Sequence, residues 1–124
     1  MFFRDRLAEL VQGIRYAALP PEVIHQVKRI TLDTLACAYG AFHSEPVSMV
    51  RVLARDLGGA PRCSVIGTAE KTSCTLATLV NGTMMRYLDG NDYYFGRDSA
   101  HPSGNLAPAL AVDRKSTRLN SSYL

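Results

Sequence analysis

The 124-residue sequence lacks a long apolar run. A membrane-spanning helix needs about 20 consecutive apolar residues, and no stretch approaches that length. The first residues, MFFRDRLAELVQ, also lack the uninterrupted apolar core of a signal peptide, because charged side chains begin at Arg4. Since 47% of the residues are hydrophobic, the chain can still form a buried core. We therefore predict a globular, cytoplasmic protein that does not use a membrane.

Cysteine is scarce, with Cys37, Cys63 and Cys74 far apart in the chain. Their odd number and wide spacing fit neither a disulfide framework nor the paired cysteines of zinc and iron–sulfur sites. Reduced, buried thiols that pack as small apolar side chains are the simplest interpretation. The sequence therefore predicts no metal site.

A basic surface for nucleic acid is also missing. The formal net charge is +3, but the segment 113–124 contributes two of these charges, from three positive side chains and one negative. Positive and negative residues are mixed along residues 1–112, without a basic stripe interleaved with aromatic residues. Nucleic acid is therefore not an expected partner.

The last segment, DRKSTRLNSSYL, changes composition abruptly after Val112. Its first ten residues look like a common sequencing adapter translated in frame. A natural polar tail is the alternative, but the match in order favours the adapter. Residues 113–124 are therefore predicted to be a non-native tail. Residues 1–112 are predicted to be part of a helical domain that continues beyond this point.

Apolar residues recur at spacings of three and four in five segments, which predicts an all-α fold. Prolines and glycines separate these segments, and the candidate helix caps are Ser44, Thr72 or Ser73, and Ser103 or Asn105. The short apolar run Cys63–Gly67 is the one expected extended segment. The predicted helices cover about 4–18, 21–41, 44–57, 73–87 and 106–112.

Groups that can do chemistry are concentrated in the segment 89–104, DGNDYYFGRDSAHPSG. It holds carboxylates, an imidazole, phenols and hydroxyls between two predicted helices. Loops held by rigid elements often carry catalytic side chains, and these groups can supply a general acid and a general base. From composition alone, a solvated turn explains them about as well.

The order of these residues resembles the MmgE/PrpD family. The stretches NGTMMRYLDGND (81–92) and HPSGNL (101–106) are similar to the family pattern NG…R-aromatic-LDFNDT…HPSDNL. The stretches LPPEVIHQVKRITLDTLACAYGA (19–41) and GGAPRCSVIG (58–67) resemble two further landmarks, in the same order. The resemblance covers about residues 5–112.

This resemblance implies a lyase that acts on a small polycarboxylate without a metal ion or another cofactor. The family includes 2-methylcitrate dehydratase, cis-aconitate decarboxylase and an iminodisuccinate epimerase. A 2-methylcitrate dehydratase-like hydro-lyase is the first expectation, and a decarboxylase or epimerase is the alternative. The resemblance also implies a homodimer with a further α/β domain, so this chain alone is expected to be inactive. A non-catalytic helical interaction module is the alternative from another class.

The resemblance places Asp89, Asp92 and His101 on catalytic positions. We assign His101 to acid–base chemistry or, when protonated, to holding a substrate carboxylate. Asp89 is expected to orient His101 or to act as the base itself. Asp92 belongs to the same motif.

Arg86, Asn91 and Ser103 are the candidate substrate-binding residues, because a carbanion beside a carboxylate needs cations or donors on that carboxylate. Each has a structural alternative. Arg86 can pair with Asp89 or Asp92 across the helix end. Asn91 and Asp92 can bond the loop backbone, and Ser103 can cap a helix.

The sequence departs from the family pattern at three positions in this region. Gly90 stands where the family usually has Phe, Tyr93 where it has Thr, and Gly104 where it often has Asp. Since Tyr93 is bulkier than Thr, we expect it to reshape the pocket.

Overall fold

The computed structural model describes the backbone of residues 2–121 and the side chains of residues 2–113. Within these residues the chain forms five α-helices and one two-stranded antiparallel sheet. The predicted all-α class is confirmed, and the expected extended segment contains the first strand of the sheet. The elements are α1 (Phe3–Gly13), α2 (Pro21–Gly40), α3 (Glu45–Leu57), β1 (Cys63–Ser64), β2 (Lys71–Thr72), α4 (Cys74–Arg86) and α5 (Leu106–Ser121), with 3-10 turns at Tyr16–Ala18 and Pro102–Asn105.

Helix α5 continues beyond Val112, where the sequence pattern predicted its end, and reaches Ser121. Residues 122–124 lie outside the described residues. A helical conformation does not show whether the segment 113–124 is native to the protein. Its non-native origin therefore stays a prediction.

The helix boundaries follow the residues that start and stop helices. Pro21 is the first residue of α2, where its missing N–H costs nothing. Gly58 follows α3 with a φ of 66°, a conformation that glycine adopts without strain. The hydroxyl of Ser73 accepts a hydrogen bond from the backbone N–H of Leu76 and caps α4. Ser44 occupies the cap position of α3, but its side chain makes no capping bond.

Helix α4 is the centre of the core and packs against α2, α3 and α5. Its buried residues recur at i, i+3, i+4, i+7 and i+8, which is one face of a helix. Leu79 and Tyr87 also have helical spacing, but they are 43% and 48% exposed. The buried face is the side of α4 that α2, α3, α5 and the two strands contact, and it carries the large side chains of Met84 and Met85. The buried residues of α4 are Ala77, Val80, Asn81, Met84 and Met85.

Asn81 attaches the sheet segment to α4. Its Oδ1 accepts a hydrogen bond from the N–H of Ile66 at 2.9 Å, and its Nδ2 donates to the carbonyl of Ser64 at 3.1 Å. The next residue, Gly82, faces α5, since a Cβ there would lie 3.8 Å from that of Ala107. The Asn81-Gly82 pair therefore lies within α4 and serves helix packing, not a turn.

An ion pair attaches the same segment to α3. The Nε of Arg55 donates to Oε1 of Glu70 at 3.1 Å, and Nη2 of Arg51 lies 3.8 Å from the same oxygen. The hydrogen bond from Arg55 holds the pKa of the Glu70 carboxyl below its ordinary value. The hydroxyl of Thr72 also donates to the carbonyl of Gly58 at 3.0 Å.

Helix α1 lies outside the core and has no buried residue. Its predicted apolar stripe is on the surface, and the apolar residues in the first half of α2, such as Val23 and Val27, are also exposed. The predicted helix over 4–18 is split, because α1 ends at Gly13 and a 3-10 turn follows. None of the helices in the described part of the chain has the length and apolar character of a bilayer-spanning segment.

Candidate active site

The segment after α4 is held against α2 by close contacts at two glycines. A Cβ on Gly40 would lie 2.9 Å from Cδ1 of Leu88, so Leu88 packs directly on the end of α2. A Cβ on Gly90 would lie 3.9 Å from Sγ of Cys37, one turn earlier in α2. The chain therefore runs back along α2 as it leaves α4, and this fixes the position of the residues that follow.

Arg86, Asp89 and Asn91 form one polar cluster at the end of α4. The guanidinium of Arg86 donates from Nη2 to Oδ1 of Asp89 at 3.0 Å and from Nη1 to Oδ1 of Asn91 at 3.2 Å. The ion pair is largely open to solvent, with the side chains 32% and 78% exposed. Asp89 has a φ of 50°, in the left-handed region that non-glycine residues seldom occupy. Residues with strained backbone conformations cluster at active sites and ligand-binding sites, so the backbone of Asp89 is consistent with a functional position.

Asp92, His101 and Ser103 form a second cluster. The carboxylate of Asp92 accepts a hydrogen bond from the N–H of Ser103, at 3.2 and 3.3 Å from its two oxygens. The main-chain carbonyl of Asp92 lies 2.7 Å from Nδ1 of His101. Because a carbonyl only accepts, this nitrogen carries the proton, and in the neutral ring Nε2 is the basic atom.

A short backbone bridge brings the two ends of this loop together. Tyr94 and Ala100 pair in antiparallel fashion through N–H to carbonyl bonds of 2.8 and 3.2 Å. This pairing places His101 beside Asp92, although nine positions separate them. The ring of Tyr93 then meets the imidazole edge-on, with ring centroids 4.9 Å apart and planes at 88°. Tyr93 therefore covers one side of His101. Its effect on the shape of the pocket stays a prediction, because it lines neither of the two clefts beside α2.

A cleft of about 270 Å³ lies between this loop and α2. Its walls are Arg29, Ile30 and Asp33 from α2, and Gly90, Asn91 and Asp92 from the loop. A second, more apolar cleft of about 260 Å³ shares Ile30 and includes Ser103. Arg29 was not predicted as a site residue, because it lies on the polar side of α2. Nothing in the sequence shows that the loop folds back over that side.

Two buried polar atoms in this region lack a hydrogen-bond partner within the described residues. They are Nδ2 of Asn91, whose Oδ1 is bound by Arg86, and the hydroxyl oxygen of Ser103. The side chain of Ser103 therefore does not cap a helix. A buried donor without an acceptor costs about 1–3 kcal/mol, and a ligand oxygen that reached Asn91 would remove that cost.

The six predicted site residues thus lie within a short stretch of structure, in two clusters. Asn91 and Asp92 are adjacent and join the clusters. In the described residues, no hydrogen bond or ion pair connects Asp89 with His101, and the cleft beside α2 is lined by neither. The same residues hold no group of three or more His, Cys, Asp or Glu side chains that could bind a metal ion.

Comparison with known proteins agrees with the family resemblance of the sequence. A sequence model of the MmgE/PrpD N-terminal domain matches residues 5–122. A protein of Saccharomyces cerevisiae described as a probable 2-methylcitrate dehydratase is 29% identical to the chain over 90 residues. The aligned part is 72% of this chain but spans only 17% of the length of that relative.

Proposed function

Because the chain belongs to the MmgE/PrpD family, we propose that it is part of a cofactor-independent lyase that acts on a small polycarboxylate. Dehydration of 2-methylcitrate or a close analogue is the first candidate, supported by the description of the yeast relative. The single observation that carries the proposal is the buried amide nitrogen of Asn91, which has no hydrogen-bond partner within the described residues and lies in the wall of the cleft, beside the segment that holds His101.

The proposed binding site for a substrate carboxylate lies between α2 and the loop. The free N–H bonds of Asn91 suit a carboxylate or hydroxyl oxygen. Arg29 places a cation on the wall of the same cleft. Arg86 already binds Asp89 and Asn91, but a guanidinium has five N–H donors, so the structural pair and a substrate contact are compatible. Cations and donors at this place would stabilise charge that develops on the carboxylate.

The proposed acid–base group is His101, acting through Nε2. Its Nδ1 is bound to the carbonyl of Asp92, which fixes the orientation of the ring. The contacts of Asp92 favour a positioning role, since its carboxylate is bound to the backbone of Ser103. Asp89 carries its charge in a strained, solvent-exposed position, which suits a second proton-transfer group more than a structural one.

In the proposed reaction the base removes a proton from the carbon next to a carboxylate. The electron pair of that C–H bond forms a double bond to the neighbouring carbon, whose hydroxyl accepts a proton and leaves as water. A decarboxylase or an epimerase uses related carbanion chemistry but loses carbon dioxide, or returns the proton to the other face. These remain the alternatives within the family. A homodimer is a further prediction of the resemblance, and a cytoplasmic location is a prediction from the composition of the sequence.

The test is an assay of a complete protein that carries this domain, with 2-methylcitrate, cis-aconitate and iminodisuccinate supplied separately. We expect an unsaturated tricarboxylate to form from 2-methylcitrate. Release of carbon dioxide from cis-aconitate, or epimerisation of iminodisuccinate, would assign the alternative reactions. If none of the three acids is converted, the lyase proposal is wrong and the helical interaction module replaces it.

A binding measurement on the same protein separates the cleft from the chemistry. Asn91→Asp replaces a donor with a carboxylate, so we expect it to weaken binding of citrate, used as an unreactive probe, by about tenfold or more. Gln12→Glu makes the same amide-to-acid change on the exposed helix α1 and should leave citrate binding unchanged. Equal effects of the two substitutions would show that net charge, and not the cleft, governs binding.

A further inference from the structure

The structure brings two of the three cysteines into contact, although they are far apart in the chain. The Sγ of Cys63 lies 2.9 Å from the Sγ of Cys74 and 3.4 Å from the carbonyl oxygen of Ala111. No disulfide joins the two residues. They are eleven positions apart, a spacing that matches no sequence motif for a redox pair.

Two elements hold this pair in place. In the sheet, Cys63 of β1 lies opposite Thr72 of β2, and Cys74 follows two residues later as the first residue of α4. The bonds of Asn81 to Ser64 and Ile66 fix β1 and the residues after it against the same helix. Both backbones are therefore anchored, and rotation of the side chains can close the gap to the disulfide length of about 2.05 Å.

The exposure of the two thiols decides which one meets an oxidant first. Cys63 is only 2% exposed, whereas Cys74 is half-buried and more accessible. A cavity of about 70 Å³ adjoins Cys63, but Cys74 is not part of its lining. A peroxide dissolved in the solvent therefore meets Cys74 before Cys63.

We propose that Cys63 and Cys74 are a thiol–disulfide pair that a peroxide oxidises to an intramolecular bond. The thiolate of Cys74 attacks one oxygen of hydrogen peroxide, the O–O bond breaks, and hydroxide leaves and takes up a proton to form water. The thiolate of Cys63 then attacks the Cys74 sulfur of the resulting sulfenic acid, the S–O bond breaks, and the hydroxide that leaves takes up a proton to form a second water. Two thiols and one peroxide thus give one disulfide and two waters.

The bond would link β1 to the first turn of α4 and close the chain around the sheet. A cross-link of this kind stabilises the fold mainly by restricting the unfolded chain. Along α4, Cys74 and Arg86 are separated by about 18 Å at 1.5 Å per residue. The pair is therefore distinct from the candidate active site, and the inference does not depend on the proposed lyase activity.

Peptide mapping of the native chain after treatment with hydrogen peroxide tests the proposal. Trypsin cleaves after Arg62, Lys71 and Arg86, so Cys63 and Cys74 fall in separate peptides, 63–71 and 72–86. Cys37 falls in a third, 30–51. We expect peptides 63–71 and 72–86 to be joined, the intact mass to fall by two hydrogen atoms, and one titratable thiol to remain. Dithiothreitol should reverse all three changes, and oxidation should raise the unfolding midpoint by several degrees.

Three single variants complete the test. Cys37→Ser should keep the mass loss and the rise in the unfolding midpoint, whereas Cys63→Ala and Cys74→Ser should abolish both. If either of the last two fails to fold, the peptide map of the unmodified chain still decides the matter. Retention of all three thiols at peroxide levels that oxidise the unfolded chain would overturn the proposal. The proposal would also be overturned if peptide 30–51 were joined to peptide 63–71 or 72–86 in a yield equal to that of the joined pair 63–71 and 72–86.

Discussion

The backbone carbonyl of Asp92 accepts a hydrogen bond from Nδ1 of His101, and the two atoms lie 2.7 Å apart. This single contact decides which nitrogen of the imidazole is available for proton transfer. It also explains why Asp92 and His101 need not meet through their side chains: the backbone of one orients the ring of the other.

The first prediction concerns His101 in a complete protein. His101→Ala should lower kcat by about 10²-fold or more, because the general base is lost. His101→Asn can still donate to the Asp92 carbonyl but has no basic nitrogen, so it should fold normally and be equally slow. His43→Ala removes a histidine that packs on Phe42 and should leave the rate unchanged. Full activity of His101→Asn would show that the ring has only a positioning role.

The second prediction concerns the carboxylate of Asp92. Asp92→Ala should lower the free energy of unfolding by about 1–2 kcal/mol, since the N–H of Ser103 loses a charged acceptor. Asp92→Asn keeps one oxygen as acceptor and should lose less. Denaturant unfolding of the three proteins gives the comparison, and a loss in Asp92→Asn as large as that in Asp92→Ala would argue against this contact.

The third prediction uses the backbone of Asp89. At a φ of 50° a β-branched residue is strained, so Asp89→Val should lower the free energy of unfolding by about 1–2 kcal/mol. Asp89→Gly relieves the strain but gives up an exposed ion pair and makes the unfolded chain more flexible, so its stability should change by less than about 1 kcal/mol. Thermal unfolding measures both, and equal stability of the two variants would contradict the strained backbone.

The fourth prediction concerns the attachment of the sheet to α4. Asn81→Ala should cost about 1–3 kcal/mol, because it removes the acceptor of the Ile66 N–H and the side-chain donor to the carbonyl of Ser64. Asn81→Asp keeps the acceptor but cannot donate to Ser64, so it should also destabilise the fold. Thr83→Ala, on the same helix, removes only a bond to a helix carbonyl and should change stability by less than about 0.5 kcal/mol.

The fifth prediction concerns the contribution of Glu70 to the pH dependence of the stability of the fold. The pKa of Glu70 is lowered in the folded chain, so the folded state binds its proton less readily than the unfolded state. The stability from this pair is therefore complete above the unfolded pKa and is lost as the pH falls through the folded pKa. Glu70→Gln should be slightly less stable at pH 7, and the difference should vanish in acid, below the folded pKa. If the difference in stability between Glu70→Gln and the unmodified chain grew as the pH fell, the prediction would be wrong.

The helices were predictable because their ends are chemically marked. Pro21, Ser73 and the glycines after α3 each restrict the backbone locally, so neighbouring residues are enough to place a boundary. The buried faces were less predictable. Leu79 has the spacing of a core residue and is exposed, whereas Asn81 is polar and buried, because the position of the sheet decides which side of α4 is covered.

The candidate site was also predictable only in part. Its residues were found from their order in the chain, since Asp89, Asn91 and His101 stand in a family pattern. The contribution of Arg29 and the contact of Cys63 with Cys74 depend on segments that meet only after folding. No periodicity or local motif reports such a meeting, so the sequence alone could not reveal either.

Helix α1 has eleven residues and buries none of them, and this limits the size of the cooperative unit. A helix of that length without tertiary support is marginal in water. Its amide hydrogens should therefore exchange with solvent through local opening, at a small fraction of the free energy needed to expose those of α4. Within the described chain, α1 can therefore melt while the helices that pack around α4 stay folded.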